Sequence, residues 1–291
     1  MPVNEGKNVL ADELSSKGYI RTTAVEGAFR AVPRHLFVPE VDSEQAYRDE
    51  VVSIETPNGA ASSSASQPAI VAEMLEQLGT EPGDRVLEVG TATGYNAALL
   101  AHLVGEEGRV VTVEINESLA HRARRSLSAA GSGRVEVAHA DGGLGYPDDA
   151  PYDRIIVTTG APDIAPAWRE QLAPGGRLVL PLEIWPGLQV CVAFEPSGDH
   201  LTSVAAAWCG FLRMGGEFAA PEEAERPEER PSSEIILETR MRGLRDASLA
   251  SGLPFPEWFG MRAYPQGSTS VPGFEELVIE REWSRLVLDQ L

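Results

Sequence analysis

The feature that most constrains this chain is a strand, a glycine turn and a helix in immediate succession. Arg85-Val86-Leu87-Glu88-Val89 is an apolar run of strand length, Gly90 to Gly94 carry the turn, and Ala97 to Val104 form a helical segment. Glycine in such a turn lets the backbone approach a ligand closely. The alternation continues downstream. Strand candidates at 110–114, 135–138, 152–158 and 177–180 alternate with helix candidates at 119–130 and 166–172. Strands alternating with helices predict βαβ units, hence an α/β fold with a doubly wound, mostly parallel sheet. Two more strand candidates, 188–194 and 201–208, follow with only the turn signal Gly198-Asp199 between them, which predicts a closing antiparallel pair.

Upstream, Pro68 opens a helix running to about Leu78, and residues 8–32 show helical spacing. Between them, Thr56 to Ser66 consists largely of small and turn-forming residues, a loop signal for which a flexible linker is an equally open reading. Composition changes again near residue 217. Glu217 to Pro231 holds six glutamates and three prolines without periodicity. The predicted organisation is a main domain over 1–216, an acidic proline-containing linker over 217–231, and a C-terminal extension over 232–291 packed on the main domain.

Acids outnumber Lys plus Arg by 44 to 24, for a net charge of -20. This argues against a general nucleic-acid binder, which needs a basic stripe to neutralise phosphates, but leaves room for a local basic pocket. Two cysteines, Cys191 and Cys209, exclude a disulfide scaffold and a CxxC-type zinc site, and no metal is expected. No apolar run approaches a membrane span of about 18 residues. Met1 to Gly18 carries Glu5, Asp12 and Glu13 and no apolar h-region, so a cytoplasmic location is expected.

Chemistry concentrates at three acids that close three successive strands. Glu88 precedes the Gly90-Thr91-Ala92-Thr93-Gly94 turn, Glu114 ends the second strand, and Asp141-Gly142 follows the third. In doubly wound folds this edge is where nucleotide-like ligands sit. Glu114 is placed to accept from a ribose diol, and Asp141 can accept from an adenine amino group. The alternative is that these acids only cap helices or solvate strand ends. The turn lacks the G-x-G-x-x-G spacing of diphosphate-binding folds. It resembles instead the E-x-G-x-G-x-G pattern of class I S-adenosylmethionine-dependent methyltransferases, with Ala92 in place of the middle glycine. An acidic surround also suits a sulfonium cation better than a diphosphate.

A family resemblance is then visible. Val86 to Leu100 is similar to the corresponding run of protein-L-isoaspartate O-methyltransferases. So are Phe37-Val38-Pro39, Ala46-Tyr47-x-Asp49, Ser66-Gln67-Pro68, Asp141-Gly142-x-x-Gly145 and Pro151 to Thr158, in the family's order over about residues 20–215. The resemblance implies that 1–216 is a methyltransferase domain and that Glu88, Gly90, Thr91, Ala92, Gly94, Glu114, Asp141 and Gly142 hold S-adenosylmethionine. It also implies that Ser64, Ala65, Ser66 and Gln67 meet substrate, with the Ser66 hydroxyl between cofactor and substrate carboxylate. A carboxylate is ionised at pH 7, so methyl transfer to it needs no general base. The five histidines are scattered, and Cys191 and Cys209 lie in apolar strand contexts.

Three departures bear on substrate. Gly59 to Ser66 is longer than the family's Gln-Thr-Ile-Ser segment and lacks the Gln-Thr-Ile. Cys209-Gly210-Phe211-Leu212-Arg213-Met214-Gly215-Gly216 replaces a Phe-Val-Pro-Leu-like strand. About 75 further residues follow. These resemble the branch that matures ribosomally made peptides, ATP-grasp-cyclised (graspetides) or lanthionine-bearing. The expectation is therefore a carboxyl methyltransferase acting on an aspartate of a cyclised precursor peptide. Its methyl ester would collapse to aspartimide and could then hydrolyse to isoaspartate. The alternative is general isoaspartyl repair. The tail is expected to cover the sheet, with Trp258, Phe259 and Trp283 as core, or to grip peptide through Arg240, Arg242 and Arg245.

Overall fold

The computed structural model describes residues 3–55, 61–185, 188–198 and 200–219, with two short strands at 278–279 and 286–287. Two helices lead: α1 (Val3–Ser16) and α2 (Thr23–Ala31). They are separate because Gly18, at φ +79°, turns the chain, and the Thr22 hydroxyl then caps α2 by accepting from Val25 N–H at 3.3 Å. The helical spacing over 8–32 is thus two elements.

The region expected to be a loop folds differently. Val52–Glu55 (β1) pairs antiparallel with Ala61–Ala65 (β2), Val52 opposite Ala65 and Ile54 opposite Ser63. Residues 56–60, where turn-forming composition is densest, lie outside the described residues. A run of Ala and Ser carries no strand signal of its own, and β1 supplies the register for it.

From residue 68 onward the order is α3 (Pro68–Leu78), β3 (Arg85–Val89), α4 (Tyr95–Val104), β4 (Arg109–Glu114), α5 (Glu117–Ala129), β5 (Glu136–His139), β6 (Tyr152–Val157), α6 (Pro166–Gln171), β7 (Leu172–Trp185), β8 (Leu188–Ser197) and β9 (His200–Cys209). Pro68 occupies the first turn of α3, where its missing N–H costs nothing, and Gly79 in the left-handed region ends the helix. Asn116 caps α5 by accepting from Ser118 and Leu119 N–H groups.

The sheet runs β9-β8-β7-β6-β3-β4-β5, with β10 (Val278–Ile279) and β11 (Leu286–Val287) beyond β9. The pairs β6/β7, β3/β6, β3/β4 and β4/β5 are parallel, and β7/β8 and β8/β9 antiparallel. The expected closing pair is present. The strand order reverses beside β3, so the carboxyl end of β3 is the switch point where α/β sheets bind ligands.

Central strands are buried on both faces, which is why they read as continuous apolar runs. Val86, Val110, Ile156 and Val179 join a core with α1 to α5, whereas Leu87, Val89, Val111, Ile155 and Leu180 join a second core around Trp168 of α6. Phe29 of α2 is fully buried and meets the Tyr95 ring edge-on at 6.3 Å, tying the N-terminal helices to α4. Replacing it (Phe29→Ala) is expected to cost about 3–5 kcal/mol, read as a fall in the urea midpoint with unchanged slope.

Candidate active site

The turn after β3 is fastened from three directions. Gly90 and Thr91 N–H groups both donate to Val113 O of β4, at 2.9 and 3.3 Å. Ala92 N–H donates to Glu114 Oε2 at 2.8 Å. Thr158, just past β6, donates its hydroxyl to Gly90 O at 2.6 Å. Gly90 sits at φ +101°, and a Cβ there would come 2.6 Å from Thr158 Oγ1, so both conformation and space require glycine. Ala92 is the one described non-glycine residue at positive φ, +46°. It keeps the path of the turn although its methyl group disfavours that conformation by roughly 1–2 kcal/mol.

Beyond this turn lies a cavity of about 850 Å³, within the usual range for small-ligand sites. Seven of the candidate residues line it: Ser64, Ser66, Gln67, Gly90, Ala92, Glu114 and Gly142. Glu114 is its acidic floor. Oε2 accepts from Ala92 N–H, and Oε1 from Asn116 N–H at 3.0 Å. Each oxygen keeps a second lone pair, so the carboxylate is a fixed, bidentate acceptor of the kind a vicinal diol needs.

Five candidates do not line the cavity. Ala65, opposite Val52 of β1, is buried, while Ser63, Ser64 and Ser66 around it line the space. Gly94 starts α4 at φ +87° and packs on Leu127 and Ala123. Thr91 is buried, its hydroxyl 2.7 Å from that of Thr112. Asp141 is not itself a lining residue but adjoins Gly142, which is; Oδ1 accepts from Gly143 N–H at 2.9 Å and Oδ2 from Glu217 N–H at 2.7 Å, so each oxygen keeps a further lone pair. Glu88 departs furthest from the expectation of ligand contact. It is fully buried beneath the turn, accepting from the Thr112 hydroxyl at 2.5 Å and from Asn96 Nδ2 at 2.8 Å. Burial pushes its carboxyl up to about 7, with the nearby Glu114 charge adding to the rise and the two hydrogen bonds opposing it. Glu88 shapes the turn from below.

Sequence reasoning missed the support of the Ser66 wall. Arg34 is buried to 1 % exposure, lies over the Tyr95 ring at 5.2 Å, and donates to Ser66 O and Glu50 O, both at 3.2 Å. Asp49 accepts from Ala69 N–H at 2.8 Å and from Gln67 Nε2 at 3.1 Å, so the Gln67 amide is committed to the scaffold. Arg34 stands inside the apolar bracket from Pro33 to Pro39, and a charge in such a stretch was the available signal.

The far wall is the segment after β9. Leu212 O accepts from Gly160 N–H at 2.8 Å, and Met214 N–H donates to Gly160 O at 3.0 Å, which lays residues 210–215 along the cavity. Arg213 is the one cation among the described lining residues and pairs with Glu183. Cys209 also lines the cavity, and burial pushes its thiol far up, so it is protonated at neutral pH. Among the described residues there is no cluster of potential metal ligands and no helix long and apolar enough to cross a membrane. The lid and core roles expected of Arg240, Arg242, Arg245, Trp258, Phe259 and Trp283 fall outside the described residues.

Comparison with known proteins gives a consistent result. Residues 4–215 match the family model described as protein-L-isoaspartate(D-aspartate) O-methyltransferase. A protein-L-isoaspartate O-methyltransferase of Methanopyrus kandleri is 46% identical over 216 residues, covering 73% of this chain and 93% of that one. Its counterpart in Ignicoccus hospitalis is 45% identical over 188 residues, 65% of this chain and 87% of that one. A solved protein-L-isoaspartate O-methyltransferase superposes with a TM-score of 0.68 at 29% identity, covering 82% of this chain and 70% of that one. A Plasmodium falciparum structure, described as a complex with S-adenosyl-L-homocysteine, superposes with a TM-score of 0.61 at 19% identity, over 72% of this chain and 97% of that one. The architecture is therefore the class I S-adenosylmethionine-dependent methyltransferase fold.

The buried Glu88 makes a stability prediction. Its proton is held in the folded state up to about pH 7 but lost from the unfolded chain near pH 4.5. The folded state therefore binds more protons in that window, and its stability falls as pH rises through it, by about 3 kcal/mol in all. Glu88→Gln removes the titration, and the Thr112–Thr91 hydroxyl pair can reverse its direction to accept from the new amide. Melting curves at pH 5 and pH 8 are expected to show a smaller drop for the variant than for the parent.

Proposed function

This chain belongs to the protein-L-isoaspartate O-methyltransferase family, and from that premise we propose that it methylates the free α-carboxylate of isoaspartyl residues in polypeptides. Enzymes of this family are S-adenosylmethionine-dependent carboxyl O-methyltransferases. The observation that carries the reading is a single cavity with Ser66 on one wall and the pinned Glu114 carboxylate on its floor. Cofactor and acceptor can meet there without crossing solvent.

The residues fit the cofactor. The Glu114 acceptor suits the ribose diol, the Gly90–Ala92 backbone suits the amino-acid end, and Asp141 with Gly142 suits the adenine edge. When bound, the group supplies an electrophilic methyl on a sulfonium sulfur. The work of the chain is then to place a carboxylate oxygen in line with that methyl and to keep water out. In this reading the Ser66 hydroxyl orients the carboxylate, and Arg34 fixes the Ser66 backbone. The carboxylate is already ionised, so no side chain has to take a proton from it.

The other reading, methylation of an aspartate in a cyclised peptide, rests on the composition of 59–66 and on the tail. Both the start of that segment and nearly all of the tail fall outside the described residues. The curated relatives support isoaspartate instead. Matched linear peptides with L-isoaspartyl or L-aspartyl at one position, and a cyclised peptide with L-aspartate, separate the two. Labelled methyl transfer is expected to the isoaspartyl peptide alone, and transfer to the cyclised aspartyl peptide alone would overturn the proposal. Ser66→Ala is expected to lower kcat/KM for the isoaspartyl peptide about 10- to 100-fold. Its affinity for S-adenosylhomocysteine, measured by calorimetry, should stay within about twofold.

A further inference from the structure

We propose that Phe218 is a positioning residue for adenine recognition, acting through a strap, residues 215–219, that runs from the cavity wall at Gly215 past Asp141 to Trp168. The proposal rests on the reading above that Asp141 and Gly142 face the adenine edge. Residues 217–219, which the sequence assigned to a solvated linker, are docked.

Four contacts define the strap. Gly215 forms part of the cavity wall. Gly216 sits at φ +92°, and a Cβ there would come 2.4 Å from Asp141 Oδ2, so the strap passes hard against that carboxylate. Glu217 N–H then donates to Asp141 Oδ2 at 2.7 Å. Phe218 packs edge-on against Trp168, ring centroids 5.7 Å apart at 67°. Trp168 is fully buried, and its indole Nε1–H donates to Gly142 O at 2.8 Å.

The two residues read as the adenine edge are therefore held from the same side. Trp168 fixes the Gly142 peptide, and the strap fixes the Asp141 carboxylate, with Phe218 joining the two supports. Phe218 touches neither the cavity nor the reacting atoms. Its anchoring energy keeps Glu217 N–H on Oδ2, and that bond fixes where the remaining Oδ lone pairs point. A purine 6-amino group donates to such an acceptor, whereas a 6-oxo group presents an acceptor to an acceptor. Discrimination between the two should depend on the strap.

The test is calorimetric titration of the full-length protein with S-adenosylhomocysteine and with its 6-oxo analogue, S-inosylhomocysteine. The parent is expected to bind the amino form about tenfold or more tightly over the oxo form, as for one hydrogen bond to a charged acceptor. Phe218→Ala should lose most of that ratio, chiefly by weakening the amino form, and Phe218→Leu, which keeps an apolar anchor, should retain most of it. Gly216→Ala should lose the ratio as well, because its methyl group forces the strap off Asp141 while leaving the Trp168 contact. This variant also decides the matter if Phe218→Ala does not fold. Equal weakening of both ligands in Phe218→Ala, or an unchanged ratio in both variants, would overturn the proposal and leave Phe218 a core residue. A parent that binds both ligands equally would refute the Asp141 assignment and the proposal with it. A parent that binds neither would refute the cofactor reading itself.

Discussion

The structure depends on how the chain leaves β3. Three residues of five, Gly90, Ala92 and Gly94, take positive φ there, a conformation that L side chains resist. Such a turn persists only when its surroundings over-determine it. Two acids do this from opposite sides. Glu114 accepts from Ala92 N–H at the cavity floor, while Glu88, below the turn, holds Asn96 of α4 and Thr112 of β4. The strand, the turn and the helix after it are thereby locked to the neighbouring strand. The ligand-facing side of the turn is left as bare backbone, and that is what a cofactor would meet.

The two acids share this task and differ in environment. Glu114 lines the cavity and is held by backbone N–H groups, so it presents its remaining lone pairs to a ligand. Glu88 is enclosed, with its hydrogen bonds satisfied inside the fold and its carboxyl pushed up to about 7. From spacing alone the two are equivalent, since each is an acid near the end of a parallel strand. What separates them is depth. Glu88 lies one residue inside β3, and Glu114 is the last residue of β4.

This is also why the sequence exposes one half of the site more readily than the other. The parallel strands, their helices and the β8/β9 pair were legible, because apolar periodicity and glycine turns are local signals. Gly90, Glu114 and Gly142 came with them as strand-end positions. The Ser66 wall was not legible in the same way. Ser63 and Ser64 of β2, and Ser66 just beyond it, line the cavity where β2 pairs with β1, and that pairing is a tertiary fact about an Ala-Ser run with no apolar pattern. Arg34 reaches Ser66 across 32 residues of sequence, and Glu217 reaches Asp141 across 76. No spacing rule connects such residues. The group that holds Asp141 Oδ2 likewise comes from beyond β9, where no local signal points to it.

The division of labour also bounds where substrate choice can reside. The half of the cavity around Gly90 and Glu114 is built from strand ends that the fold itself fixes, so it has little freedom to vary. The rest of its wall is built from two elements that the sheet does not constrain on both sides: the β1/β2 pair and the segment after β9. Arg213, in the second of them, places one cation at the wall of a cavity whose other charged lining groups, Glu73 and Glu114, are acids. Glu73 is bound to Arg21 and Glu114 to the turn, so neither is loose to repel an arriving carboxylate. In a chain of net charge -20, an anionic ligand would approach against the overall field. Arg213 is itself paired with Glu183, so an arriving carboxylate would have to share or displace that partner to use its charge.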